Sequence, residues 1–116
     1  MVFICVHWYG GPNPTWLLNL VDGLWKTYSL PIWITEFGVA DWSATTKSQY
    51  SLKDTMNFMN GVIPQLEQRS YIQRYAWFDF NPTDVAGGPS ALTKHDSAAT
   101  MTDLGKLYES LGGTTK

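Results

Sequence analysis

Glu36 is the residue of this chain that most needs a chemical explanation. It stands near the end of Pro31-Ile32-Trp33-Ile34-Thr35-Glu36-Phe37-Gly38, a run of β-branched and aromatic residues that reads as a buried strand delivering an acid to a rim. A carboxylate is almost never buried without a partner, so in such a run it must be hydrogen-bonded, paired or functional, unless it escapes into solvent at the strand end. Two other strand-like segments close on comparable groups: His7 and Tyr9 end residues 2–9, and Trp77 and Asp79 end a segment that starts at Tyr71 or Arg74 and runs to Phe80. An acid with aromatic neighbours on one rim suits a ligand that presents flat apolar faces, such as a sugar ring.

The strands that carry these groups alternate with helical patterns. After the first strand, Gly10-Gly11-Pro12 breaks the chain, and Asn13-Pro14 is a good N-cap and first-turn pair for a helix over residues 15–28, with Leu17, Leu20, Val21, Leu24 and Trp25 at helical spacing. The Glu36 strand covers residues 31–37. A polar loop over 38–46 carries Asp41 and Trp42 and is long enough to shape a pocket. The spacing then predicts a helix over 47–69, kinked or divided at Gly61 and Pro64, before the third strand. Residues 86–100 are rich in Gly, Ser, Ala and Thr and read as a long loop; Thr102-Asp103 caps a final helix over 104–111, and 112–116 form a frayed tail.

The order is thus β-α-β-α-β-α, and each crossover is long enough for a right-handed parallel connection. Period-2 alternation sets Phe3, Cys5, His7 and Tyr9 on one face of the first strand and Val2, Ile4, Val6 and Trp8 on the other, so both are apolar, the mark of a parallel sheet covered by helices. It also groups Ile32, Ile34 and Glu36, and separates Tyr75, Trp77 and Asp79 from Ala76, Phe78 and Phe80. In that arrangement an inward Glu36 stands beside His7 or Tyr9 on one neighbour and Trp77 on the other. The strand ends are where sites form in parallel α/β folds. Gly10-Gly11-Pro12 lacks the spacing of a nucleotide-binding loop.

Bulk properties narrow the function. With 116 residues the chain is one domain at most. A net charge of −2 without any Lys/Arg block argues against nucleic acid and against an anionic membrane surface. No apolar stretch reaches a membrane span, and the N-terminus lacks the basic region and cleavage site of a signal peptide, while the compartment stays open. The single cysteine, Cys5, reads as a small core residue. Nothing in the sequence calls for a metal or an organic cofactor, and none is expected.

Val6-His7-Trp8-Tyr9, Trp33-Ile34-Thr35-Glu36-Phe37-Gly38, Tyr75-Ala76-Trp77-Phe78, Leu92-Thr93 and Met101-Thr102-Asp103-Leu104-Gly105-Lys106-Leu107-Tyr108 together resemble the C-terminal part of the catalytic core of glycoside hydrolase family 128, endo-β-1,3-glucanases. The glutamate strand with its Phe-Gly is the most specific piece. The resemblance implies the last three β/α units of a retaining (β/α)8 barrel, with residues 1–116 a single partial-barrel domain lacking strands one to five, and an oligo- or polysaccharide as partner. It implies Glu36 as the nucleophile, with Tyr9 or His7 hydrogen-bonding its carboxylate, Trp77 as the floor on which the sugar stacks, and Trp8 and Trp42 as rim contacts. A satisfied core histidine, and core packing for the tryptophans, are the competing readings. The acid/base glutamate of such enzymes belongs at the end of strand four and has no counterpart here. Asp79 is a strand-end candidate for substrate contact, equally readable as a loop cap. Resembling enzymes are often secreted. Two open sheet edges and a half-covered interior lead us to expect homo-oligomers that complete the barrel by self-association. The alternatives are a carbohydrate-binding remnant that keeps the aromatic platform, or an unrelated α/β protein with a structural Glu36.

Overall fold

The structure, a computed structural model, describes residues 2–112. The start at Met1 and most of the expected tail therefore lie outside the described residues. Three parallel strands, β1 (Ile4–Gly10), β2 (Ile32–Val39) and β3 (Ile72–Trp77), pair in the order β1-β2-β3 and alternate with helices α1 (Pro14–Tyr28), α2 (Leu52–Gln68) and α3 (Asp103–Ser110).

Local chemistry accounts for the boundaries. The Asn13 side chain accepts the Thr15 amide, and Pro14 occupies the first turn of α1. The second helix starts at Leu52, later than the expected residue 47, because Ser51 and Asp54 form a reciprocal capping box that satisfies two orphan donors. It then runs unbroken through Gly61 and Pro64. Its buried residues, Thr55, Phe58, Met59, Val62, Ile63 and Leu66, form one continuous face whose burial outweighs the hydrogen bond that proline removes. Gly61 allows close approach of α1, since a methyl there would come 2.9 Å from Pro14 Cγ. Arg69 holds both oxygens of Asp22, at 2.8 and 3.0 Å, and so ties the end of α2 to α1.

The helices cover one face of the sheet. Leu17 and Val21 of α1, the α2 face and Leu104 of α3 pack with Ile32, Ile34, Phe37, Val39, Ile72 and Trp77 into a single core. Covering of both sheet faces is not observed. Ile4, Val6 and Trp8 pack toward that core, whereas Phe3, Cys5 and His7 lie exposed on the other face. Cys5 is accordingly not a core residue; its Sγ lies 3.3 Å from Thr35 Oγ1 on the uncovered side.

β2 breaks its own alternation. Val6 pairs with Ile34 but His7 with Glu36, and on the other side Ile34 pairs with Tyr75 but Phe37 with Trp77. Thr35 is one residue too many for the β1 ladder, a bulge that reverses the parity of everything after it. The buried side chains of β2 are therefore those of Ile32, Ile34, Phe37 and Val39, and Glu36 does not share the face of Ile32 and Ile34. The expected grouping is corrected by this bulge.

Candidate active site

The bulge aims Glu36 away from the helices and toward the C-terminal ends of the strands. There the Tyr9 hydroxyl donates to Glu36 Oε2 at 2.5 Å. His7 Nδ1 stands 3.8 Å from the same oxygen, too far for a hydrogen bond and close enough for an ion pair when the ring is protonated. Both groups reach solvent, with side-chain exposures of 57% for His7 and 38% for Glu36, so the carboxylate is fixed by Tyr9 yet open to a ligand. Burial pushes the Tyr9 phenol well above its ordinary pKa, and the hydrogen bond to Glu36 and its charge push it further. Tyr9 thus remains a protonated donor throughout the neutral range.

Aromatic rings hold Tyr9 in place. Trp42, Phe78 and Phe80 meet it edge-on with centroids 5.7, 5.9 and 5.7 Å away. Phe80 is buried, whereas Trp42 is 64% and Phe78 40% exposed. Two solvent-facing aromatic surfaces therefore flank the tyrosine that binds the acid. Trp42 sits on a loop whose shape Asp41 sets: that carboxylate accepts from the Ser43 hydroxyl at 2.6 Å and the Gln49 amide at 2.9 Å, and these bonds hold its pKa below the usual carboxylate range.

Trp77 is placed elsewhere. Its indole N–H donates to the Ser90 carbonyl at 2.8 Å, and its ring packs on Phe37 and Phe58 in the helix-covered core, only 5% exposed. It does not stand beside the Glu36 carboxylate, because Trp77 faces Phe37, one residue past the bulge. Trp8 likewise stacks on Phe58 of α2 and is a packing residue. Asp79 accepts the Leu92 and Thr93 amides at 2.7 and 3.1 Å, the Thr93 hydroxyl at 2.9 Å and contacts His95 Nε2 at 3.1 Å. Burial alone would raise its pKa, but these bonds outweigh it and lower it. Asp79 anchors a loop.

Phe78 and Phe80 were missed by sequence reasoning as site residues. The signal was present: apolar residues at 32, 34, 37 and 39 take a three-residue step across the polar pair Thr35-Glu36, which marks the bulge and moves the site to the face of Ala76 and Phe78. No group of three His, Cys, Asp or Glu capable of holding a metal occurs among the described residues. Other carboxylates are engaged away from Glu36, Glu67 with the Tyr75 hydroxyl and Asp84 with the amides of Ala86 and Gly87.

Comparison with known proteins bears on this arrangement. The sequence model of the family described as "Glycosyl hydrolase catalytic core" matches residues 1–108. The chain is 29% identical over 106 residues to alkali-sensitive linkage protein 1 of Schizosaccharomyces pombe, covering 91% of this chain and 19% of that protein. The fold is similar to that of a glycoside hydrolase family 128 endo-β-1,3-glucanase from Amycolatopsis mediterranei crystallised with laminaritriose, with TM-score 0.76, 28% identity, and coverage of 95% of this chain and 45% of that one. A family 128 endo-β-1,3-glucanase from Sorangium cellulosum is similar at TM-score 0.72 and 26% identity, with 90% of this chain and 39% of that one covered. The chain thus spans less than half the length of these relatives.

Proposed function

Because this chain belongs to the glycosyl hydrolase catalytic core family, we propose that it is part of a β-glucan-cleaving domain in which Glu36 is the nucleophile of a retaining reaction. The observation that carries this reading is the Tyr9–Glu36 hydrogen bond at the ends of two adjacent parallel strands, on the helix-free face and between exposed aromatics. A Glu36 oxygen would attack the anomeric carbon as the bond to the leaving sugar oxygen breaks, giving a covalent glycosyl ester that water then cleaves. Tyr9 orients the attacking carboxylate. Trp42 and Phe78 take the stacking role expected of Trp77. The β-1,3 linkage is favoured by the laminaritriose and endo-β-1,3-glucanase descriptions of the similar structures.

A retaining site needs a second carboxyl group about 5 to 5.5 Å from the first to protonate the leaving group. None of the described contacts of Glu36 is a carboxylate, so that group comes from a second copy or from further sequence of a longer protein. Self-association supplies one route, with two copies closing the open edges of β1 and β3 over the uncovered face as a completed barrel. Light scattering at micromolar concentration is then expected to give a dimer or larger, and a purely monomeric mass would overturn that route. The lone carboxylate also favours a second reading, a carbohydrate-binding segment without hydrolysis. Reducing-sugar release from β-1,3-glucan by the 116-residue chain, beside its Glu36→Gln variant, separates the readings. Release that the variant abolishes supports the hydrolase; binding with no release, even of dinitrophenolate from a 2,4-dinitrophenyl β-laminaribioside whose leaving group needs no acid, supports the second reading; and release that survives Glu36→Gln excludes Glu36 as nucleophile.

A further inference from the structure

We propose that Trp25, Tyr28 and Tyr71 form a second carbohydrate-binding surface, at the end of the domain opposite Glu36, that holds a neutral glucan polymer by ring stacking. The proposal rests on the glucan-binding reading above and adds a separate site to it. Trp25 lies in the last turn of α1, and Tyr71 directly precedes β3, where its carbonyl accepts the Ile32 amide at 2.8 Å. The pair therefore stands at the N-terminal ends of the strands, against a helix of the covered face. Glu36 lies four residues beyond Ile32 on the helix-free face. At about 3.3 Å per residue that is roughly 13 Å along the strand, so one sugar cannot touch both.

Phe3 is exposed on the helix-free sheet face, which a completed barrel would cover. Trp25 is a different case. Asp22, one turn before it on α1, is held by Arg69 at the end of α2, so the elements on both sides of the indole are in place, and it is still 39% exposed. Tyr28, one turn further on, is 59% exposed. The surface is preorganised. Trp25 and Tyr71 stack with centroids 5.0 Å apart and ring planes within 3°, and Arg69 Nε donates to the Tyr71 hydroxyl at 3.1 Å. Rings fixed in this way lose little freedom when a ligand docks. The chemistry of the rim selects that ligand. Asp22 and Arg69 compensate each other's charge, which favours a neutral partner, and exposed aromatic faces suit the apolar face of a sugar ring. The Asp22 carboxylate is 45% exposed and keeps lone pairs for sugar hydroxyls. A polymer that reaches both surfaces gains further, because its second contact is intramolecular.

Affinity electrophoresis in native gels containing laminarin, a β-1,3-glucan, or dextran, an α-glucan, tests this with the native chain, Trp25→Ala and Tyr28→Ala. Circular dichroism checks folding, and should Trp25→Ala unfold, Tyr28→Ala decides alone. Laminarin is expected to retard the native chain and dextran to leave it unaffected. Each variant should bind laminarin about five- to tenfold more weakly, the loss of one ring contact. Each should still release dinitrophenolate from 2,4-dinitrophenyl β-laminaribioside at the native rate, since that substrate is too short to span from Glu36 to the second surface. The same loss is expected when either substitution is added to Trp42→Ala. Equal laminarin retardation of native and variant chains, equal retardation by dextran, or no retardation of the native chain would overturn the surface. A failure of the Glu36 reading is seen separately, as absence of dinitrophenolate release by the native chain, and leaves the gel result to decide the surface.

Discussion

Replacing Tyr9 by Phe isolates the bond on which the site depends. The ring contacts with Trp42, Phe78 and Phe80 survive the change, and only the hydroxyl that donates to Glu36 at 2.5 Å is lost. A hydrogen bond to a charged group contributes about 1.5–3 kcal/mol. Glu36 is 38% exposed, so water replaces part of that loss, and the lower end applies. At about 1.4 kcal/mol per factor of ten, Tyr9→Phe should slow attack by Glu36 about tenfold. The assay is the rate of dinitrophenolate release from 2,4-dinitrophenyl β-laminaribioside, whose leaving group needs no acid catalyst. A fall in rate is expected, with the fold retained by circular dichroism and a somewhat lower melting temperature at neutral pH. The same variant carries a pH signature. Because the folded state raises the Tyr9 pKa, its stabilisation is fully present below the unfolded phenol value near 10 and is lost as pH rises through that value toward the folded one. Alkaline unfolding should therefore cost native protein a stabilisation that Tyr9→Phe never had. A variant that attacks at the native rate would refute Tyr9 as the positioning residue.

Other expectations follow from named contacts. Trp42→Ala should weaken laminari-oligosaccharide binding about tenfold in a fluorescence or calorimetric titration while leaving the melting temperature nearly unchanged, since that ring is 64% exposed. Asp79→Ala should destabilise the fold by about 2 kcal/mol in urea titration by leaving the Leu92 and Thr93 amides unpaired. With its pKa lowered, the Asp79 contribution is present above the ordinary carboxylate range and is lost as pH falls through the folded value, so native and variant should converge in acid. Gly105→Ala should cost about 1–3 kcal/mol, because the added methyl falls on the Leu92 carbonyl.

The element order was legible in the sequence because caps and apolar spacing agree at each helix: Asn13-Pro14 starts α1, and Thr102 caps α3 by accepting the Gly105 amide. The strand carrying Glu36 and its nearness to Tyr9 and His7 were legible for the same reason, since the C-terminal ends of adjacent parallel strands must converge. Face assignment was not. Strict alternation joined Glu36 to Ile34 and made Trp77 its neighbour, and one extra residue at Thr35 reversed both. Cys5 and Asp79 depended on tertiary partners that no local pattern records: which sheet face the helices leave bare, and which loop amides fold back onto a carboxylate.

Mass spectrometry of the chain after reaction with 2,4-dinitrophenyl 2-deoxy-2-fluoro-β-laminaribioside tests the nucleophile directly. Attack by Glu36 forms the bond to the anomeric carbon as dinitrophenolate departs, and the fluorine slows hydrolysis so that the ester persists. One fluoro-laminaribiosyl group per chain is expected, within the tryptic segment 27–47, and none on Glu36→Gln. No label, or a label that persists in Glu36→Gln, would contradict it.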